Sequence, residues 1–245
     1  MLLRRLMQHV KGQNWIAVGL DFVIVVVGVF IGLQVNNLNQ ARLERDMFER
    51  QLLAVGQEMS ENFDRFGRAG ASIERQRADV DRLRRILDDA TLDVSNDDLN
   101  SMLMQSIHVI GIYPKRNALD VVLGSELLAK RENAPLADAF EQWDAVLARL
   151  RRLQDDALGF RALNQAPYIV QQLHLAPVVA TSPDAGDIFV SKRFSMSRDA
   201  LAQDRVFENI LATRQLQMGQ DVNRTKELMA LTEQIIHLIG ERTME

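Results

Sequence analysis

Few side chains in this chain could do chemistry, and the most unusual is Asp21. It stands directly before residues 22–33, twelve apolar or glycine positions without a break. A carboxylate at the middle of a bilayer costs about 2.5–3.5 kcal/mol on insertion scales, and less near an interface where water and a cation such as Lys11 are in reach. Asp21 therefore has three readings: a proton or ion relay, a polar contact with a second helix, or an interfacial acid that is merely tolerated. Gly28 and Gly32 are four residues apart and Asp21 precedes Gly28 by seven, so the three share one helix face. Glycines at that spacing let another helix approach closely. Gln34, Asn36, Asn37 and Asn39 follow, placed either to hydrogen-bond between subunits or to mark the membrane boundary. Asp21, Gly28, Gly32, Gln34, Asn36 and Asn37 are the candidate site residues, for packing or polar contact of a membrane helix rather than for catalysis.

No other constellation points to a reaction. The 245 residues include no cysteine, which excludes a disulfide scaffold, Cys-ligated zinc, an iron–sulfur centre and a thiol nucleophile. His9, His108, His174 and His237 are scattered, and none is read as having the HExxH setting or the i,i+4 histidine or carboxylate partner of a metal site. No GxSxG elbow, P-loop or dinucleotide fingerprint occurs, and Ser125 in LGSEL lacks the second glycine and a preceding strand. Asp88–Asp89 and Asp155–Asp156 lie beside Arg84–Arg85 and Arg151–Arg152 and read as solvated helix faces. A net charge of −4 argues against a general nucleic-acid binder. The expectation is a protein that is not an enzyme, with no catalytic, cofactor-binding or metal site, no cofactor and no nucleic-acid partner.

Patterning gives the elements that would hold these residues. Residues 15–35, WIAVGLDFVIVVVGVFIGLQV, number 21, or roughly 31 Å of helix against a bilayer core of about 30 Å. The Val and Ile content would suit a strand in water. A strand of this length without alternation is implausible, and lipid demands internally bonded backbone, so a transmembrane helix is expected. Nearly every position around it is apolar, unlike a buried core helix. No small-x-small cleavage site follows, so an uncleaved anchor is expected rather than a signal peptide. Residues 1–14 carry Arg4, Arg5 and Lys11 without an acid, whereas Arg42, Arg45 and Arg50 are mixed with Glu44, Asp46 and Glu49. The Lys/Arg counts tie, and the closeness of Lys11 to the span together with the terminal amine favours a cytoplasmic N terminus. Residues 1–10 fit a short amphipathic helix on that surface.

Residues 36–245 carry a net charge of −6, since the whole chain is −4 and residues 1–35 are +2. Glycine (13) and proline (5) are scarce, which argues against a many-turned β fold. Phe48, Leu52 and Val55 begin an apolar stripe that Met59, Phe63, Phe66, Ile73, Val80, Leu83 and Leu87 continue at helical spacing, with Ala69 and Gln76 filling the series. Two four-residue steps between Val55 and Phe63 predict a stutter-like drift. The spacing predicts one long helix continuing out of the membrane, with Gly56, Gly67 and Gly70 as its weak points. Ser95 or Asn96 is placed to cap a helix over 97–109, ended by Gly111 and Pro114. Asn117 is placed to cap a short helix closed by Gly124. Asn133 is placed to cap one that turns Leu136, Phe140, Trp143, Leu147, Leu150 and Leu158 inward. Pro167, Pro177, Pro183 and Gly186 predict a looser stretch over 165–196, with IFV at 188–190 as the one candidate strand. A last helix starts at Ser197 or Asp204 and runs to about Ile239, with Phe207, Leu211, Met218, Val222, Met229 and Ile236 inward. Its end, LMALTEQIIHLIG, is too short and too polar for a second span.

Residues 21–39, DFVIVVVGVFIGLQVNNLN, resemble the opening of a bacterial family of small single-pass, membrane-anchored helical proteins whose domain has no assigned function. Members have a basic segment, an acid, a Val/Ile-rich span with glycine, and a polar exit similar to IGLQVNNWN. Looser matches are Asn117 to Ser125, leading into a helix through Phe140 and Trp143, and the set Phe207, Asn209, Leu211 and Arg214. Leu38 departs from the pattern where an aromatic is usual. The resemblance spans most of the chain; it implies a single-pass helical protein and no activity.

The expected architecture is all-α: a basic cytoplasmic segment (1–14), a single transmembrane helix (15–35) and a periplasmic bundle of long helices (36–245), anchored in a bacterial inner membrane. The expected partners are the lipid bilayer and further copies of the chain, in an oligomeric scaffold or interaction protein. Two alternatives stay open. Asp21 serves a proton-coupled complex beside a multi-span membrane partner, or the bundle is a periplasmic sensor.

Overall fold

The computed structural model describes residues 15–180, 182, 184–191, 193 and 197–244. The basic segment 1–14, with Arg4, Arg5, His9, Lys11 and the amphipathic stretch 1–10, lies outside the described residues, as does Pro183. The chain is all-α, as its periodicity predicts, with no strand among the described residues. In order the helices are α1 (Trp15–Asp88), α2 (Asn96–Ile107), α3 (Asn117–Leu123), α4 (Ala134–Phe160), α5 (Ala166–Gln172), α6 (Leu175–Val179), α7 (Arg198–Ala202) and α8 (Arg205–Met244). A 3-10 turn, Arg131–Asn133, leads into α4, and a π-helical turn, Arg161–Gln165, leaves it.

The chain divides into two compact units, Met1–Gln51 and Leu52–Glu245. In the first, every residue from 19 to 47 is exposed along α1. In the second, residues 52–88 of α1 pack with α4 and α8. α8 runs antiparallel to α1. A methyl group placed on Gly56 would lie 3.5 Å from Ile239, and one on Gly70 would lie 3.4 Å from Thr225. Charged pairs follow the same register, with Lys226 on Glu74 at 2.8 Å and Arg84 on Glu208. Trp143 ties α4 to both, its ring 6.3 Å from that of Phe66 and its indole N–H donating to Thr232 Oγ1 at 2.9 Å. The glycines expected as weak points of α1 do not interrupt it; they lie where α8 comes close.

The packing seam explains why α1 is so long. Leu52, Val55, Met59, Asn62, Phe66, Ile73, Gln76, Val80 and Leu83 are buried, with Ala69 half-buried between Phe66 and Ile73. The steps alternate between three and four residues, a 3.5-residue repeat that keeps one face toward its neighbours. The seam passes through Asn62 rather than Phe63, so the predicted stutter does not occur; Phe63 and Leu87 are half-buried at its edge. On α8 the same alternation runs through Phe207, Leu211, Arg214, Met218, Asp221, Thr225, Leu228, Thr232, Ile235 and Ile239. Met229 and Ile236, expected at its centre, are half-buried flanks. Four polar residues in this seam hid it from an apolar pattern.

Helix ends corrected several expectations. Ser95 caps α2 as predicted, accepting from Asp98 N at 3.0 Å, but α2 stops at Ile107 rather than at 109. Asn117 is the first residue of α3 and not its cap. Glu58 of α1 takes that place from across the fold, accepting from Ala118 N at 2.9 Å and Leu119 N at 3.1 Å. Asn133 precedes α4 without capping it, since its amide is turned to Leu127 O at 2.6 Å. Leu158 is exposed and Ala157 is buried instead. The stretch from 165 is helical over Ala166–Gln172 and again over Leu175–Val179; Pro167 directly follows the π-helical turn in a helix otherwise continuous from Ala134, and Pro177 falls in the first turn of α6, where a missing N–H breaks no helical bond. Residues 188–190 form no strand, having no ladder to join among the described residues. Both proposed starts of the last helix are used. Ser197 caps α7, and Asp204 accepts from Val206 N at 2.8 Å and Phe207 N at 3.3 Å at the head of α8.

Candidate functional site

Two regions concentrate the polar side chains that a sequence of this kind would use. The first lies on α1 within the first unit. This is the one helix, among the described residues, long and apolar enough to cross a membrane. Asp21, Gly28 and Gly32 fall within about 40° of one another at 100° per residue. Asn36 adjoins that face. Gln34 and Asn37 do not; they lie about 120° and 180° from Gly28 around the helix. All six are exposed, and a methyl group built on Gly28 or Gly32 would meet nothing within 4 Å.

The second region is a connector, residues 105–116, held against α1, α4 and α8 by side chains. Asn62 is fully buried and bonds Lys115 in both directions, donating to its carbonyl and accepting from its N–H, each at 2.8 Å. It does for Lys115 what a neighbouring strand would do. Gln76, two heptads further along the seam, donates to Gln105 O at 2.6 Å and His108 O at 2.7 Å. Gln165, on the π-helical turn, donates to Ser106 O at 2.9 Å, and Gln154 donates to Ile110 O at 3.3 Å. Arg214, only 2% exposed, donates to Ser106 O at 3.3 Å, His108 O at 2.9 Å and Gln217 Oε1 at 2.8 Å. These donors satisfy carbonyls that α2 leaves open when it stops, and buried backbone groups must be paired. This is why α2 ends early.

Charge in this region is set by burial. Burial pulls the Arg214 guanidinium below its ordinary value, while Asp221 one heptad away favours its charge. Burial pushes the Asp221 carboxyl up to about 6, opposed by Arg214, and its Oδ1 makes no hydrogen bond. Nearer α3, Arg116 lies 5.8 Å over the Trp143 ring and pairs with Asp144 and, at 2.9 Å, with Asp120. Tyr168 stacks on Phe207 with ring centres 5.7 Å apart and donates to Asp204 at 2.7 Å, so burial and that bond raise its pKa. A surface groove between the end of α1 and α7–α8 is lined by Asp81, Arg84, Arg85, Asp88 and Glu208 among others, with Arg84 paired to Glu208 and Arg85 to Asp81.

The chemistry these groups can do is to bind backbone and one another. Among the described residues no three His, Asp or Glu side chains gather as metal ligands would. Contrary to the expectation that no histidine has a carboxylate partner at i+4, His237 Nε2 lies 3.3 Å from Glu241 Oε1. Both are exposed, and two groups on a helix surface make an ion pair rather than a metal site. Sequence reasoning missed Glu58, Asn62 and Arg214 as structural donors and acceptors. The signal that could have found them is the unbroken 3–4 spacing itself, which assigns Asn62 and Arg214 to positions otherwise apolar. Comparison with protein-family models, with curated proteins and with solved structures finds no match to this chain.

Proposed function

We propose that this chain is a non-enzymatic, single-pass protein of a bacterial inner membrane, with a cytoplasmic N terminus and residues 36–245 in the periplasm, and that it works by holding other proteins. The observation that carries this reading is the bare apolar stretch of α1. From Phe22 to Ala41 it has no ionisable residue, and residues 19–35 are exposed on every side. Water would oppose such a surface, and a bilayer accepts it as a helix whose backbone is internally bonded. The resemblance of residues 21–39 to a membrane-anchored family supports the same reading. The partners are lipid, further copies of the chain and other proteins, without cofactor or nucleic acid. In cell membranes the chain is expected to resist alkaline carbonate extraction, and a reporter fused after Glu245 is expected to be active only in the periplasm. Release by carbonate would sink the anchor, and a cytoplasmic reporter signal would reverse the orientation.

Asp21 favours a second reading, a single-span subunit of a proton-coupled complex beside a multi-span partner. Here Asp21→Asn is expected to abolish complementation of a deletion strain and Asp21→Glu to retain it. Full complementation by Asp21→Asn removes this reading.

A further inference from the structure

The part of α1 packed in the second unit carries a second row of residues behind its seam. Two positions on from Phe66, Ile73 and Val80 stand Arg68, Arg75 and Arg82, about 200° round the helix. Between them stand Ala71 and Ala78, two positions on from Ala69 and Gln76. All five are exposed. The arginines repeat at about 10.5 Å along the axis. No ion pair among the described residues includes any of the three, nor the flanking Asp64 or Asp79. Charges of α1 that face a neighbour are matched: Glu74 binds Lys226, Arg84 binds Glu208 and Glu61 binds Lys115. So α1 pairs its charges where this chain supplies a partner, and the arginine row is where it supplies none. The row is also basic in a region, 36–245, whose net charge is −6.

We propose that Arg68, Arg75 and Arg82 dock an acidic α-helix of another protein. This deepens the reading above, on which it rests, that the chain holds other proteins. The sign of the row calls for carboxylates, which the guanidinium fork takes two oxygens at a time. The spacing calls for a helix. A helix with an acid at every seventh residue repeats at the same 10.5 Å or so, whereas an extended strand shows one face about every 6.6–6.8 Å and falls out of step. Ala71 and Ala78 leave room for the partner's backbone between the arginines. A level parallel copy of this chain would set each arginine against its own like charge. The acids of α1 at matching spacing are taken as well, Glu74 by Lys226 and Asp81 by Arg85. The occupant is therefore a different chain.

The probe is a fluorescein-labelled synthetic helix of about four heptads with one glutamate per heptad along one face. It is titrated with the full chain in lipid nanodiscs and read by anisotropy. Binding is expected to weaken with added salt. Arg75→Glu with Arg82→Glu is expected to weaken it about tenfold, with no change in the unfolding midpoint because both side chains are exposed and unpaired. A probe with lysines in place of the glutamates is expected to bind that variant and not the wild type. Arg149→Glu with Arg152→Glu makes the same change of net charge on the exposed face of α4 and is expected to leave binding intact. No binding, equal binding of a scrambled probe, or equal loss with the α4 variant overturns the proposal. Displacement of the probe by inorganic polyphosphate or phosphatidylglycerol vesicles at equal charge also overturns it, in favour of a polyanion or a lipid surface. In cells, a photo-crosslinking benzoylphenylalanine in place of Ala78 is expected to join an acidic helical segment, and to lose that adduct when Arg75 and Arg82 are reversed. The same group in place of exposed Gln220 on α8 separates the two ideas. An adduct at 220 alone overturns only the arginine row, whereas adducts at neither position overturn the holding of proteins as well.

Discussion

Asp221 is a carboxylate kept at a seam position where most neighbours in the repeat are apolar. It is 6% exposed, and burial pushes its pKa to about 6 from an unfolded value near 3.9. Between those values the folded chain holds a proton that the unfolded chain releases. The associated stabilisation is complete below about pH 4 and is lost as pH rises through about 6. The urea midpoint of the wild-type protein is therefore expected to fall between pH 5 and 7. Asp221→Asn is expected to flatten that slope and to be more stable than wild type at pH 7.5 by about 1–2 kcal/mol. A flat wild-type profile would mean that the attraction of Arg214 holds the carboxylate ionised after all. Neither residue was legible in the sequence as part of the core, because charged side chains are almost never fully buried unless paired. Ser95, by contrast, was legible as a cap, since a serine before two acids and an apolar run has a local reason for its place.

At the scale of elements, apolar side chains gave the existence and type of each long helix, and polar ones decided the details. Pattern reading counts hydrophobic residues, so it followed Phe63 and Met229 where the packed seam follows Asn62 and Leu228. It also sought a cap next to each helix in sequence and could not find one supplied from elsewhere. The head of α3 shows the consequence. Its first amides are received by Glu58, which stands about sixty residues earlier on α1. Glu58→Ala leaves both without that acceptor and is expected to cost about 1–2 kcal/mol. The denaturant midpoint would move with an unchanged m-value. No shift would mean that α3 frays at its first turn and takes its hydrogen bonds from water. Arg198 performs a matching service at the C-terminal end of α1, donating to Leu92 O at 2.8 Å and to the carbonyls of Ile86 and Asp89.

At the scale of the whole molecule, one helix belongs to two different environments. Hydropathy divides the chain after residue 35, and packing divides it after Gln51. The residues between were read in the sequence as an amide-rich exit and the start of a bundle; their lack of cover became visible only with the other helices in place. The all-α architecture was legible throughout, because low glycine and proline content with sustained three- and four-residue spacing leaves little else. The connector was not legible. Its partners, Gln76 and Arg214 among them, stand 29 to 108 residues away along the chain. Bonds across such distances close only after α1, α4 and α8 have met, so they contribute little to the rate-limiting step of folding. Gln76→Ala is accordingly expected to accelerate unfolding in stopped-flow measurements by a factor of about 5–100 while leaving refolding almost unchanged. Slowed refolding would instead place the connector in the folding nucleus. The row of carbonyls at residues 105–110 thus governs a lifetime: it determines how long the bundle stays shut once formed.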